Sequence, residues 1–527
     1  MNKPIRVQFN GGLQQPAKIG SVVLRPTGQG KLSYAQNVDS SNDEYGDGTI
    51  TPGPKLANIT GNGELTGVPL AATGSYYDNN TDGFIYIVQG LLGAAKNVIR
   101  RIKGVTSSGT PTIEAADADT PATYTDLAYL TDTLLFQETS GNAVKVLLTG
   151  WSSTANGTNS GKIGYIQAAN GSNSVTDISA SGGYINGFEP LLMIGDDKFP
   201  YWTQNGYTLA RVAKDLSGIA TAFSLRRNQT MCALGKFQQY AAIAYFEDSS
   251  PIEGFNKRKI GGQTGLLLWN YIDTAFFERD IPFPNNYISA IVQDLSGNTL
   301  VFGGLDQGKT TLYMLTGSGF TPLVSYVGDM PRNRHSVDFD AQGRVLWQTC
   351  NGQILRYDQV SEKLDHLASI ACDAGAGGIL KRLQGTTNDF MVAAGTGSTY
   401  TLKVLTFGSY IGDGDAGTDN ITTPLAISGQ QFMPAPNATI SAITLHLTKP
   451  LATSEQVKLR VYANGSTTPT DYMDMEFAVD GAISSKRVAN SLPDINNFAL
   501  GIAWKQTDAL ATAPPVVFAE VEYEINQ

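Results

Sequence analysis

The residues most suggestive of chemistry are Gly303-Gly-Leu-Asp-Gln-Gly308-Lys309-Thr310, which fit the pattern G-x-x-x-x-G-K-[ST]. That spacing holds phosphates when backbone N–H groups and a following helix N-terminus surround them. An apolar run, Thr299 to Phe302, precedes it as the motif requires. The residues that follow, Thr310-Thr-Leu-Tyr-Met-Leu315, are strand formers and stop at Thr316-Gly-Ser-Gly319. They are too few for the helix the motif needs. The stretch therefore reads as a glycine-rich hairpin turn, and no nucleotide or other cofactor is expected.

Asp78-Asn-Asn80-Thr-Asp82-Gly83 matches the first half of a calcium loop, in which alternate oxygens surround a hard cation. The position for its bidentate acid holds Gln89, and strand-like runs flank it, so a plain Asp/Asn turn is expected. Asp413, Asp415 and Asp419 fit less well, with Gly417 and Pro424 at ligand positions. Three cysteines (Cys232, Cys350, Cys372) and three histidines (His335, His366, His446) are scattered singly, so neither a disulfide framework nor a metal site is expected. Ser336-Val-Asp338-Phe-Asp340 begins like the Asp-box of glycan-cleaving propellers, but Asp340 stands where glycine belongs. No Ser-His-Asp or Cys-His pairing stands out, and separation in sequence cannot pair carboxylates in space. No catalytic residue is assigned. Arg332-Asn-Arg334-His335 is a small basic spot, read as a solvated loop or an ionic contact for a partner protein.

The elements that must carry these residues are β-strands. The 527 residues contain only 16% charged side chains and 57 glycines, and Gly, Asn and Ser disfavour helix and favour turns. A net charge of −10 argues against a sequence-independent grip on nucleic-acid phosphates. No apolar run is long enough for a membrane helix, and Met1 to Asn10 lack the apolar core of a signal peptide. Synthesis in a cytoplasm is expected. The eight Asn-x-Ser/Thr triplets are then accidental.

Short runs rich in aromatic and β-branched residues start near positions 84, 133, 191, 240, 299, 344 and 390, with steps of 45 to 59 residues. Second runs follow several of them, such as Val144 to Leu148, Thr310 to Leu315, Gln353 to Tyr357 and Tyr400 to Leu405. A degenerate repeat of that length, built from strands and turns, marks a β-propeller. Asp294-Leu-Ser-Gly297 and Asp340-Ala-Gln-Gly343 lie 46 residues apart and suit type I turns. About seven units are expected, with six or eight open. Thr106 to Thr123 and Trp151 to Ser181 read as long polar loops, and the five tryptophans as blade packing.

The fold class is thus all-β, a propeller of about six to eight blades followed by a C-terminal antiparallel β-sandwich of jelly-roll type. Residues 1–68 read as an extended docking arm, 69–408 as the propeller and 409–527 as the sandwich. Thr439 to Leu447 alternates well, with Ile440, Ile443, Leu445 and Leu447 directed inward.

Three stretches are similar to the β-propeller tail proteins of tailed bacteriophages. They are Leu32-Ser-Tyr-Ala-Gln-Asn37-Val38-Asp39 with Thr51-Pro52-Gly53-Pro54, then Glu189 to Trp202, and the closing strand Val516 to Glu524. Many relatives carry Arg-Pro-Gly where this chain has Thr51-Pro52-Gly53. The resemblance implies a non-enzymatic structural virion protein, a tail nozzle or hub that scaffolds assembly and the DNA exit path. Its implied partners are other tail proteins (portal or adaptor, hub, fibres), further copies of itself, and DNA in passage. The implied location is the virion. The alternative is a tail adhesin binding host glycans through the sandwich, with Tyr462, Tyr472 and Phe477 as its best aromatic residues. A glycan hydrolase is the third class.

Overall fold

The computed structural model describes most of residues 3–525. Its larger undescribed stretches are 42–48, 91–97, 104–111, 114–128, 153–159, 168–174, 179–188, 248–262, 411–423 and 507–513, with shorter ones between. The candidate calcium loop at 78–83 and the Asp413–Asp419 group fall on or within undescribed residues.

The chain is all-β, and seven blades succeed one another along it. Blade 1 is built on Val68–Ala72, Gly83–Gly90, Val98–Lys103 and Thr112–Ile113. Blade 2 follows with Tyr129–Phe136, Lys145–Ser152, Ser160–Gln167 and Thr176–Asp177. Blades 3 to 6 start at Leu192–Ile194, Gln229–Phe237, Tyr287–Gln293 and Val337–Phe339, and each adds three antiparallel strands in chain order. Blade 7 takes Ile379–Arg382, Phe390–Thr396 and Thr399–Tyr410 from one end of the propeller sequence. Its outermost strand, Pro54–Asn58, comes from the other end and closes the ring.

Packing confirms the closure. Every neighbouring pair of blades shares its own buried cluster. Blades 6 and 7 meet through Leu346, Leu367, Phe390 and Leu405, with Leu56 of the closing strand among them. Blades 7 and 1 meet through Ile85, Ile87, Ile379 and Tyr400. Trp202, Trp269 and Trp347 are fully buried between blades, as expected of blade-packing residues, and Trp504 is buried in the sandwich. Burying such a side chain contributes on the order of 2 kcal/mol or more, so the ring is held by its interfaces as well as its ladders.

Both marked turns form. Gly297 N–H donates to Asp294 O at 3.0 Å and Gly343 N–H to Asp340 O at 3.1 Å, with φ of 85° and 81° at the glycines. In each turn the Asp carboxylate also accepts backbone N–H groups across the loop.

The sandwich packs against blades 5 and 6 through one continuous core. One of its sheets holds Ile5–Gln8, Val516–Glu524, Ala438–Leu447 and Ser485–Val488. The other holds Leu32–Gln36, Leu425–Ser428, Asn497–Gln506, Glu455–Ala463 and Thr470–Glu476. A register shift between Ile440 and Ala442 buries both Ala442 and Ile443, which interrupts the expected alternation without reversing it.

Residues 1–68, read from the sequence as an arm, contribute strands throughout the molecule. Ile5–Gln8 and Leu32–Gln36 enter the two sandwich sheets, Ala17–Lys18 lies parallel to the outer strand of blade 5, and Pro54–Asn58 completes blade 7. Between them, Val38–Asp39 pairs with Thr51–Pro52 against blade 6. Asp39 forms an ion pair there with the wholly buried Arg356, which Asp365 also contacts at 3.1 Å. Burial works against that guanidinium, but the two carboxylates outweigh it and hold it charged. Gly53 sits so close to Leu367 that a Cβ would lie 2.0 Å from the Leu367 carbonyl oxygen. The Pro-Gly turn is therefore a contact that only glycine permits.

Candidate functional site

The first strand of each blade faces the propeller axis. At the C-terminal ends of these strands lies an open funnel of about 570 Å³. All seven blades reach it, through Thr73, Thr133, Met193, Lys236, Val292, Asp338 and Lys381 among others. Leu134, Leu135, Ile194 and Val292 give it apolar walls, and the exposed Leu295 stands at its rim.

The segment joining blades 5 and 6 crosses the funnel as a short 3₁₀ turn, Arg334–Ser336, in contact with the inner strands of blades 1, 5, 6 and 7. This is the basic spot expected to be a solvated loop or a partner contact. The structure corrects that reading. Arg332 pairs with Glu189 at 3.2 Å, and Arg334 grips both oxygens of Asp132 at 2.9 Å. Ser336 Oγ donates to Gly378 O at 2.5 Å, and the Asn333 side chain caps the turn by accepting from His335 N–H at 2.9 Å. Its ionic partners belong to this chain.

Asp132 is fully buried in the inner strand of blade 2. Burial alone would raise its carboxyl. The charges of Arg334 and His335, together with the Leu192 N–H at 2.8 Å, reverse that and hold it below the usual carboxylate range. His335 stands between two acceptors, Ala72 O at 2.9 Å from Nδ1 and Asp132 Oδ1 at 2.5 Å from Nε2. Burial pushes this imidazole down to about 4, with the Asp132 charge opposing.

The inner strands carry bulges that aim side chains at this floor. Register shifts in blades 2, 4 and 5 leave Thr131, Cys232 and Ser289 unopposed. These three residues line a small cavity of about 20 Å³ behind the turn, with Asp132, Asn333, Arg334 and His335.

Three cationic side chains thus line one funnel in an acidic protein: Lys236 from blade 4, Arg334 from the crossing turn and Lys381 from blade 7. Lys381 is enclosed. Burial pushes its ammonium down, Asp338 opposes, and Arg334 pushes it further down. Lys236 is also lowered, by burial and then by Lys198, against Asp196 and Asp197. Asp132 lies beneath the funnel, occupied by Arg334 and His335, and Asp338 is the carboxylate on the funnel lining. Asp338 accepts backbone N–H groups from Phe339 at 2.9 Å and Arg382 at 2.8 Å.

The remaining sequence candidates lie apart from this site. Gly303-Gly-Leu305 is the end of a strand of blade 5, paired directly with the strand Lys309–Thr316, and no helix follows. The P-loop pattern is a hairpin, as expected. Lys309→Ala is expected to change melting temperature by less than about 1 °C, since exposed substitutions of this kind stay within ~0.5 kcal/mol. Calorimetric titration with ATP is expected to show no binding to either form. Ser336 and Asp338 form no Asp-box, and Asp340 is buried against Arg344 at 2.5 Å. Tyr462 and Tyr472, offered as adhesin aromatics, are buried, and Phe477 packs against the sandwich core.

No protein-family model and no curated protein matches the sequence. Solved structures do resemble it. A family 43 arabinoxylan arabinofuranohydrolase from Bacillus subtilis is 9% identical, with 87% of this chain and 96% of that one covered and a TM-score of 0.28. The family 93 α-L-arabinofuranosidase of Fusarium graminearum is 9% identical over 67% and 97%, with a TM-score of 0.38. The Dos1 propeller is 11% identical over 67% and 95%, with a TM-score of 0.40. These matches correct two expectations. A non-enzymatic structural tail component, with a tail adhesin as its alternative, gives way because the similar structures include glycoside hydrolases and none of these three is a tail protein. Neither the tail role nor the absence of catalysis is carried further. The matches speak for fold alone, and no residue role is taken from them.

Proposed function

We propose that the axial funnel binds an acidic saccharide between Lys236, Arg334 and Lys381, with its carboxylate on Lys236 and Arg334. The convergence of these three cations on one pocket carries the reading. A chain with net charge −10 has no general attraction for anions, so this concentration is local. The volume lies within the range of small-ligand sites, and the apolar walls suit the C–H faces of a sugar ring. The carboxylate on the funnel lining, Asp338, accepts backbone N–H groups of Phe339 and Arg382.

Calorimetric titration with glucuronate and with glucose tests this. Glucuronate is expected to bind, more weakly as salt is raised, and glucose to bind at least about tenfold more weakly, since a charge-assisted hydrogen bond contributes roughly 1.5–3 kcal/mol. Lys236→Ala is expected to cost glucuronate a similar factor. Equal affinities for the two sugars, or no heat from either, would contradict the proposal. Release of reducing ends from an acidic oligosaccharide, read in parallel, would assign catalysis to the same site. Self-association, virion partners and a virion location remain separate proposals, and light scattering of the purified chain tests the first.

A further inference from the structure

We infer that Lys381 is a reactive amine that condenses with the carbonyl group of an anionic aldehyde or 2-oxo acid held in the funnel. The inference rests on the acidic-saccharide reading and narrows its ligand to sugar acids that can present an open-chain carbonyl. A uronic acid meets both conditions, with a carboxylate at one end and a masked aldehyde at the other.

The geometry supplies what an amine nucleophile needs. Lys381 lies on the inner strand Ile379–Arg382 and lines the open funnel, so a ligand can reach it. Among the described residues, no hydrogen bond or ion pair engages its ammonium group. Asp338 attracts it through space, and that carboxylate accepts the N–H groups of Phe339 and Arg382. Burial and the Arg334 charge both disfavour the ammonium form, which increases the share of free amine at neutral pH. Arg334 and Lys236 remain cationic partners for the ligand's carboxylate, which would place its carbonyl beside Lys381.

The step balances without a further reactant. The amine lone pair attacks the carbonyl carbon, and the carbonyl oxygen takes up a proton to give a carbinolamine. Loss of that oxygen as water, with the remaining nitrogen protons accounted for by solvent, leaves an imine. The reaction is reversible.

Reductive trapping reads it directly. The full chain is incubated with glyoxylate and cyanoborohydride near pH 7, digested, and the labelled lysines are identified by mass spectrometry. Lys381 is expected to label faster than the exposed Lys198, because burial and the Arg334 charge enlarge its share of free amine. Its rate should level off at lower pH than is usual for an exposed lysine, a readout that mere accessibility does not produce. Lys381→Arg, checked for folding by circular dichroism, should lose this adduct and keep the slow ones. Excess glucuronate should slow labelling of Lys381 and of Lys236 and leave the exposed lysines unchanged. If glucuronate binds by calorimetry but Lys381 labels no faster than Lys198, this inference is overturned and the saccharide reading stands. If Lys381 labels fast and glucuronate neither binds nor protects it, the reactive amine is upheld and the saccharide reading fails.

Discussion

Deleting residues 1–58 is expected to yield an aggregating, incompletely folded chain. The sequence reading expected a stable propeller that merely lacked an arm. The pairing in blade 7 argues otherwise. Pro54–Asn58 lies along Thr399–Tyr410, and removing it exposes that strand as an open edge. Leu56 leaves the cluster that joins blades 6 and 7. Both sandwich sheets lose a strand, Ile5–Gln8 from one and Leu32–Gln36 from the other. Arg356, wholly buried in the intact chain, loses Asp39 and keeps Asp365. Breaking a buried pair by removing one partner typically costs about 3–5 kcal/mol. Together the losses are expected to match or exceed a normal net stability of ~5–15 kcal/mol. Near-ultraviolet circular dichroism and a thermal melt check this. A deleted chain with the intact near-ultraviolet spectrum and one cooperative transition would contradict it.

Asp132→Asn is expected to act in two directions at once. Arg334 keeps its place and loses the charge that compensates it, and His335 loses a carboxylate partner, so stability should fall by about 3–5 kcal/mol at pH 7. The carboxyl is held below its ordinary value in the fold. Its contribution is therefore full above the unfolded pKa of about 4 and is lost as pH falls through the folded value, which makes neutral pH the right condition. The same change removes a negative charge from beneath the funnel and frees Arg334. Glucuronate affinity should rise several-fold, where most damaging substitutions would lower it. Unchanged stability would mean that the ion pair is dispensable. Unchanged or weaker affinity would mean that Arg334 does not face the ligand.

The propeller was legible in the sequence because a strand packed between two blades is apolar on both faces. Five of the seven recurring runs, those at 84, 240, 299, 344 and 390, fall in the second strands of blades, which have such neighbours on both sides. The runs at 133 and 191 fall in inner strands. Mixing the two kinds is one source of the uneven spacing. Inner strands gave weaker signals because polar groups such as Thr131, Asp132 and Asp338 face the axis. Ring closure had no local signature, since Pro54–Asn58 pairs with a strand most of the chain away.

The candidate site was half visible. Arg332 to His335 stood out as basic residues in an acidic chain, but Asp132 lies 202 residues from Arg334. One clue was present. Asp132 interrupts an apolar run containing Leu130, Leu134, Leu135 and Phe136, and a carboxylate buried in such a strand demands a cation. Lys381 gave no comparable sign, because its character comes from enclosure by other blades.

The central claim is that the axial funnel receives the carboxylate of a sugar acid. Its most direct test is a crystal structure of the chain soaked in glucuronate. The sugar is expected in the funnel, with its carboxylate within hydrogen-bond distance of Arg334 or Lys236. An empty funnel under conditions where calorimetry shows saturation, or a sugar bound elsewhere on the chain, would contradict it.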